Sequence, residues 1–216
     1  MKIIKPQAII EEQFWEGMLR RIEEKGRVCY KSEKRIGEDS AKQFIQSLAK
    51  NGHLSVLEHA SISVKFTADR GLTHEIVRHR IGAYSQESTR YCNYGSGISF
   101  IEPFFFKRGS LNWTAWKESC ASDEKIYEIL LSNGATPEQA RTVLPNSLKT
   151  ELWATYNLHG WRHFFEARAA RTAHPQMRQV VIPLLFRFKE ILPVVFADLP
   201  YDKNFPQEHY AEVKIG

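Results

Sequence analysis

Arg78, His79, Arg80 and Arg90 stand within thirteen residues, interleaved with Tyr84, Ser85, Gln86, Ser88 and Tyr91. Guanidinium forks grip phosphate or carboxylate oxygens in pairs, and the hydroxyls and amides of a polar loop add further contacts to an anion. On a helix, consecutive side chains point about 100° apart, so Arg78, His79 and Arg80 cannot share one anion. The triplet suits two or three neighbouring ligand groups, which can belong to different molecules. The same residues could instead form a solvated basic face, with Glu75 three residues before Arg78 and four before His79. Residue types alone do not choose between these readings.

Other chemistry-bearing patterns are weaker. His159 and His163 are four apart and share a helix face, but a zincin needs Glu after the first histidine, and Gly160 stands there. Two packed or hydrogen-bonded histidines are the expectation, and no metal is. There is no GxGxxG and no GxxxxGK[ST]. Cys29, Cys92 and Cys120 are odd in number and far apart, which reads as free thiols in a reducing compartment. None is followed by histidine, and only Arg90 is a cation near Cys92, so a catalytic thiolate is not expected.

With 216 residues and 43% hydrophobic content, the chain should fold as one domain, 1–216. No apolar run reaches the roughly 18 residues of a membrane span, and Met1 to Pro6 lacks a signal-peptide core. A cytoplasmic location and no membrane partner are expected. The net charge of +5 favours anionic partners such as nucleotides, phosphate-bearing cofactors or nucleic acid. A basic nucleic-acid- or nucleotide-binding protein without catalysis is the alternative to an enzyme. That reading predicts steep salt dependence, yet no nucleic-acid module is visible.

The elements that must position these residues mix helices and strands without a βαβ rhythm, which places the chain in the α+β class. Residues 1–10 alternate weakly, as a first strand would. Glu11 to Lys25 has helical spacing in Phe14, Met18 and Ile22. A second helix follows Asp39 or Ser40 and stops at Asn51-Gly52. Ser55 and Glu58 have capping-box spacing. Ile62, Val64 and Phe66 alternate with polar residues in a half-buried, antiparallel strand. Gly71 to Arg80 reads as helix, the stretch to Tyr94 as loop, Ile98 to Ile101 as strand and Leu111 to Leu131 as helix. Thr136-Pro137-Glu138-Gln139 starts another helix. Leu152 to Tyr156 reads as strand and Trp161 to Ala170 as helix. A last helix begins near Pro175, to be kinked or stopped by Pro183 and Pro193.

Written out, RHRIGAYSQESTRY, with seven residues between the arginine–histidine–arginine triplet and Ser88, resembles the signature of the flavin-dependent thymidylate synthases. Gly52 to His59, Ala140 to Pro145 and Asn157 to Arg168 resemble further segments of that family; residues 1–35 and 195–216 carry no resemblance. Gln86 departs from members with a carboxylate there, although Glu87 is adjacent. His163 occupies a position that varies between amide and imidazole.

The resemblance implies a mainly antiparallel sheet flanked by helices in a homotetramer with active sites between subunits. It implies methylation of dUMP to dTMP, with 5,10-methylenetetrahydrofolate as carbon donor, FAD as hydride carrier and NADPH as reductant. Carried over by position, Ser55, Arg78, His79, Arg80, Asn157, Leu158, His159 and His163 would contact FAD, with His53 nearby. Glu75, Arg78, Gln86, Glu87, Ser88, Thr89, Arg90, Arg141 and Arg168 would form the dUMP site, with Ser88 and Arg90 at or near the phosphate. Arg168 would polarise the uracil N3 edge, the catalytic role. A folate-reducing, cysteine-dependent thymidylate synthase is the competing enzyme class, and it would require one of the three thiols.

Overall fold

The computed structural model describes residues 1–216. Ile62, Val64 and Phe66 are fully buried and form one face of the central strand β3 (Ser61–Asp69), as their alternation requires. Beyond Phe66 both faces are covered, and Thr67, Ala68 and Asp69 are buried too. Along its whole length β3 pairs antiparallel with β6 (Lys149–Asn157), from Ser61 opposite Asn157 to Asp69 opposite Lys149. On one side β6 is flanked by β4 (Ala83–Gln86); on the other, β3 pairs with β2 (Gln7–Ile10), which pairs with β7 (Glu212–Ile215). A separate pair joins β1 (Lys2–Ile4) to β5 (Ser99–Ile101).

The expected mainly antiparallel sheet is corrected here: the sheet is mixed, because β7 runs parallel to β2, and β1 and β5 are also parallel. Each of these partners is distant in sequence, so no hairpin imposes antiparallel pairing. The single N-terminal strand expected over residues 1–10 is two, separated at Lys5-Pro6.

Helices α1 (Trp15–Val28) and α2 (Ser40–Lys50) pack together, and α1 also packs on a 3-10 turn, Leu54–His59. That turn replaces the expected capping box: His53 holds the cap position without a side-chain bond, and Ser55 lies inside the turn. The short α3 (Arg70–Ile76) begins where Asp69 Oδ1 accepts the Leu72 N–H at 2.8 Å, and it ends four residues before Arg80. Opposite it, α6 (Leu158–Arg168) begins three residues earlier than its apolar spacing suggests, because Asn157 Oδ1 caps the Gly160 N–H at 2.7 Å.

Leu158, Trp161, Phe164 and Phe165 form the buried stripe of α6. They meet Phe188 of α7 (Pro175–Ile191) and Phe196 of α8 (Pro193–Phe196) in a cluster of edge-on and stacked rings. Pro183 lies inside α7 without ending it, and Pro193 opens α8.

Away from this main core, α4 (Leu111–Ser132) and α5 (Pro137–Ala140) enclose a small second core of Ile98, Phe100, Cys120, Tyr127, Ala140 and Leu148. The expected cap of α5 is present, with Thr136 and Gln139 bonding reciprocally. No helix is long and apolar enough to cross a membrane.

Phe66 carries the centre of the main core. Phe66→Ala should cost about 3–5 kcal/mol of folding stability, measured as a fall in the urea unfolding midpoint.

Candidate active site

Two tyrosines fasten the chain where α3 ends. Tyr84, on β4, donates to the His79 carbonyl, and Tyr156, on β6, donates to the Ile76 carbonyl at 3.2 Å. Their hydroxyls lie 2.9 Å apart, and burial raises the pKa of both, so they stay protonated donors. Gly82 is required for this approach, because a Cβ there would come within 2.3 Å of the Tyr156 ring.

With the backbone pinned, the triplet divides in the turn beyond the end of α3: Arg78 and Arg80 are exposed, and His79 turns inward. The His79 ring packs edge-on to Phe164 at 5.0 Å between centroids and to His163 at 5.8 Å. Arg168, in the last turn of α6, reaches across to it. Its Nε donates to His79 Nε2 at 2.8 Å, its Nη1 to Glu75 Oε2 at 2.6 Å and its Nη2 to the Glu75 carbonyl at 3.1 Å.

Because Nε2 accepts, the His79 proton sits on Nδ1. Burial first, then the Arg168 and His163 charges, push the His79 pKa down to about 4, so the ring is neutral at neutral pH. A guanidinium has five N–H groups, and three are used here, which leaves one free on each Nη. Arg168 is therefore a two-pronged cationic donor whose aim is fixed by three bonds.

A cleft of about 380 Å3 opens beside this cluster, lined among others by Leu54, Glu58, Arg80, Asn157, His159 and His163. His159 Nδ1 lies 3.2 Å from Glu58 Oε1. The helical period puts His159, His163 and Glu166 on the open face of α6, opposite its aromatic stripe. Ser55 is exposed on the neighbouring turn but does not line this cleft. Leu158 is a core residue: its side chain is fully buried and its N–H donates to the Ala60 carbonyl at 2.9 Å, which holds Asn157 and His159 in place.

The remaining loop residues form a third group. Ser88 Oγ accepts the Arg90 N–H at 3.3 Å, which leaves its hydroxyl proton free to donate. Arg141 donates to Thr89 Oγ1 at 3.2 Å, and Arg90 pairs with Glu138 at 2.8 Å, both partners about half exposed. Gln86 and Glu87 face inward instead. Gln86 donates to Thr73 Oγ1 at 2.9 Å, and the Glu87 carboxylate accepts from Lys149, Tyr94 and the Glu151 N–H. Glu87 thus anchors the loop, and its acceptor capacity is largely used within the chain.

Three contributors escaped sequence reasoning: the Tyr84–Tyr156 hydroxyl pair, Glu58 and Glu166. Only the α6 period offered a signal, since Glu166 falls seven residues after His159. The cysteines stand apart: Cys120 is buried, its thiol pushed up to about 12 chiefly by burial, and none of the three lines the cleft.

A family model described as thymidylate synthase complementing protein, Thy1, matches residues 12–194. A flavin-dependent thymidylate synthase of Mycobacterium avium (strain 104) is 33% identical over 194 residues, covering 82% of this chain and 78% of the relative. The Geobacter sulfurreducens protein of the same name is 30% identical over 180 residues, with 80% and 78% covered. That of Pyrococcus abyssi is 31% identical over 168 residues, with 74% and 69% covered. Among solved structures, a UMP/dUMP methylase, PolB from Streptomyces cacaoi, bound with 5-Br dUMP, superposes with a TM-score of 0.73. The match covers 91% of this chain and 96% of that one at 21% identity, which establishes a shared α+β fold.

The His79 environment has a measurable consequence. The folded imidazole binds its proton more weakly than the unfolded one, so stability is lost as pH falls from 6.5 through about 4. His79→Gln keeps an acceptor for Arg168 and removes the titration. Its urea midpoint should therefore drop less than the wild type's between about pH 7 and about pH 5.

Proposed function

Because this chain belongs to the Thy1 family, whose curated relatives are named flavin-dependent thymidylate synthases, we propose that it reductively methylates dUMP to dTMP. The observation that carries the reading is Arg168, a cation held at three points with one N–H free on each Nη. Uracil C5 is a poor nucleophile until negative charge can build on the N3–O4 edge of the ring. A preorganised two-pronged donor at that edge stabilises the charge as it forms. Glu75 offsets part of the Arg168 charge, and His79 stays neutral, so no second buried cation competes at this point.

The residues fit FAD by the chemistry of their donor set. Arg78 and Arg80 are exposed and form no ion pair, which suits a pyrophosphate. Asn157 spends its oxygen on the α6 cap, so its amide N–H groups are free to donate, and His159 and His163 add imidazoles to the same wall. Ser55, with His53 close by, would flank this site. Bound FAD, once reduced, supplies the hydride that completes the methyl group. The carbon donor in this reading is 5,10-methylenetetrahydrofolate, and NADPH is the reductant.

Ser88, Arg90 and Arg141 would hold the dUMP phosphate, with Thr89 orienting Arg141 and Gln86 and Glu87 bracing the loop. Arg90 must leave Glu138 to do so, which costs little because a half-exposed ion pair is worth about 0–1 kcal/mol. A cleft of about 380 Å3 lies near the lower end of the roughly 300–1,000 Å3 typical of small-molecule pockets, and FAD is a large ligand. Its open shape supports completion by neighbouring copies, and the assembly we propose is a homotetramer with shared sites in the cytoplasm.

The direct test is the absorbance spectrum of purified protein with added FAD, then anaerobic NADPH, with and without dUMP. Flavin bands should travel with the protein and bleach on reduction; a colourless protein that retains no FAD would overturn the reading. Arg168→Ala should retain FAD and lose at least about a hundredfold in dTMP formation, on the scale of one lost preorganised donor. Unchanged turnover would remove Arg168 from the mechanism. Arg90→Ala should chiefly weaken dUMP binding, by about tenfold for one charge-assisted contact. A folded variant without Cys29, Cys92 and Cys120 should keep its turnover, unlike a cysteine-dependent enzyme.

A further inference from the structure

Arg27, Lys31, Lys34 and Arg35 fall within nine residues, at the end of α1 and on the 3-10 turn Glu33–Arg35 that follows. With Tyr30, Phe44 and the C-terminal end of α2, they enclose a groove of about 580 Å3 that no carboxylate lines. Arg27 forms one wall: it donates twice to Glu23, at 3.0 and 2.7 Å, and its guanidinium lies 4.3 Å from the Phe44 ring centroid. Lys31, Lys34 and Arg35 are exposed and make no ion pair.

Lys31 has a left-handed backbone, φ 48°, and is the only non-glycine residue of the chain with positive φ. The stop of α1 would be served with less strain by glycine, yet this position carries a lysine at the mouth of a cationic groove. The groove is linked to the active-site cleft through one hydrogen bond and one step of the chain. Tyr30 Oη lies 3.3 Å from His53 Nδ1, and His53 precedes the turn whose Leu54 and Glu58 line the cleft.

We propose that this groove binds the oligoglutamate tail of the folate co-substrate, a chain of regularly spaced carboxylates. The proposal rests on the reading above that the one-carbon donor is a reduced folate. The reacting pterin must lie against the flavin, so the aminobenzoyl-glutamate end has to leave the cleft. A route past His53 and Tyr30 brings its carboxylates to Lys31, Lys34 and Arg35. A compact phosphate is bound by donors converging on one point. Here four cationic side chains line one open groove, which suits several separate charges on an extended chain. NADPH phosphates share the anionic chemistry, and the test separates the two.

The probe is a fluorophore-labelled γ-linked oligoglutamate, titrated by anisotropy against the FAD-loaded, full-length protein at low and high salt. Wild-type protein should bind it, with affinity falling as salt rises. The triple variant Lys31→Gln/Lys34→Gln/Arg35→Gln should bind about tenfold more weakly, the scale of three exposed ion pairs. In turnover assays the wild type should show a lower KM for polyglutamylated than for monoglutamylated methylenetetrahydrofolate, and the variant should lose that preference. No binding by wild-type protein, or binding that the variant matches, would overturn the proposal. A variant whose KM for NADPH rises while the folate preference persists would overturn it too, by assigning the groove to the dinucleotide. Anisotropy is read without turnover, so oligoglutamate binding by protein that forms no dTMP upholds the groove and faults only the proposed reaction.

Discussion

The site depends on the nine-residue pairing of β3 with β6. Asp69 ends β3 and caps α3; Asn157 ends β6 and caps α6. In an antiparallel ladder these two residues lie at opposite ends, so the two helices start far apart and run towards each other. Eight strand intervals span about 27 Å, and helices of seven and eleven residues together span about the same. Their C-terminal ends therefore meet, and Arg168 stands between them, bonded to Glu75 and His79 at the end of α3. Both helix dipoles present their negative ends there, so the fold itself favours a cation at that point.

Sequence reasoning found what repeats locally. The alternation of Ile62, Val64 and Phe66 and the Thr136–Gln139 cap are short-range patterns, and both stand in the structure. Strand β4 escaped because none of its four residues is buried, and β7 because only Val213 is. Ser55 and Glu58 had the spacing of a cap, but spacing cannot tell which residue takes the non-helical cap position, and His53 does.

The candidate site was legible as a list of residues and not as a set of bonds. Arg168 and His79 are 89 residues apart, and Tyr84 and Tyr156 are 72 apart, so only the sheet register brings each pair together. The inward turn of Glu87 likewise depends on Lys149, 62 residues away. Local patterns name the cations, and distant partners decide which of them are held and which stay free. His79 turns inward beneath Arg168 while its two arginine neighbours remain exposed, and the division arises in the turn beyond α3, where sequence spacing predicted helix.

The two hydrophobic cores differ greatly in size, and they support different parts of the site. Arg168 stands on α6, whose aromatic stripe lies in the main core. The loop bearing Ser88 and Arg90 is tied to the small one, where the Tyr94 N–H donates to Tyr127 Oη and the Tyr94 hydroxyl to Glu87. Resistance to local opening follows buried apolar contact, so the smaller unit has the lower opening free energy. Its amides are accordingly expected to exchange with solvent deuterium through excursions that leave α6 closed. Such breathing would loosen the loop that carries Ser88 and Arg90 while the three bonds that hold Arg168 stay made.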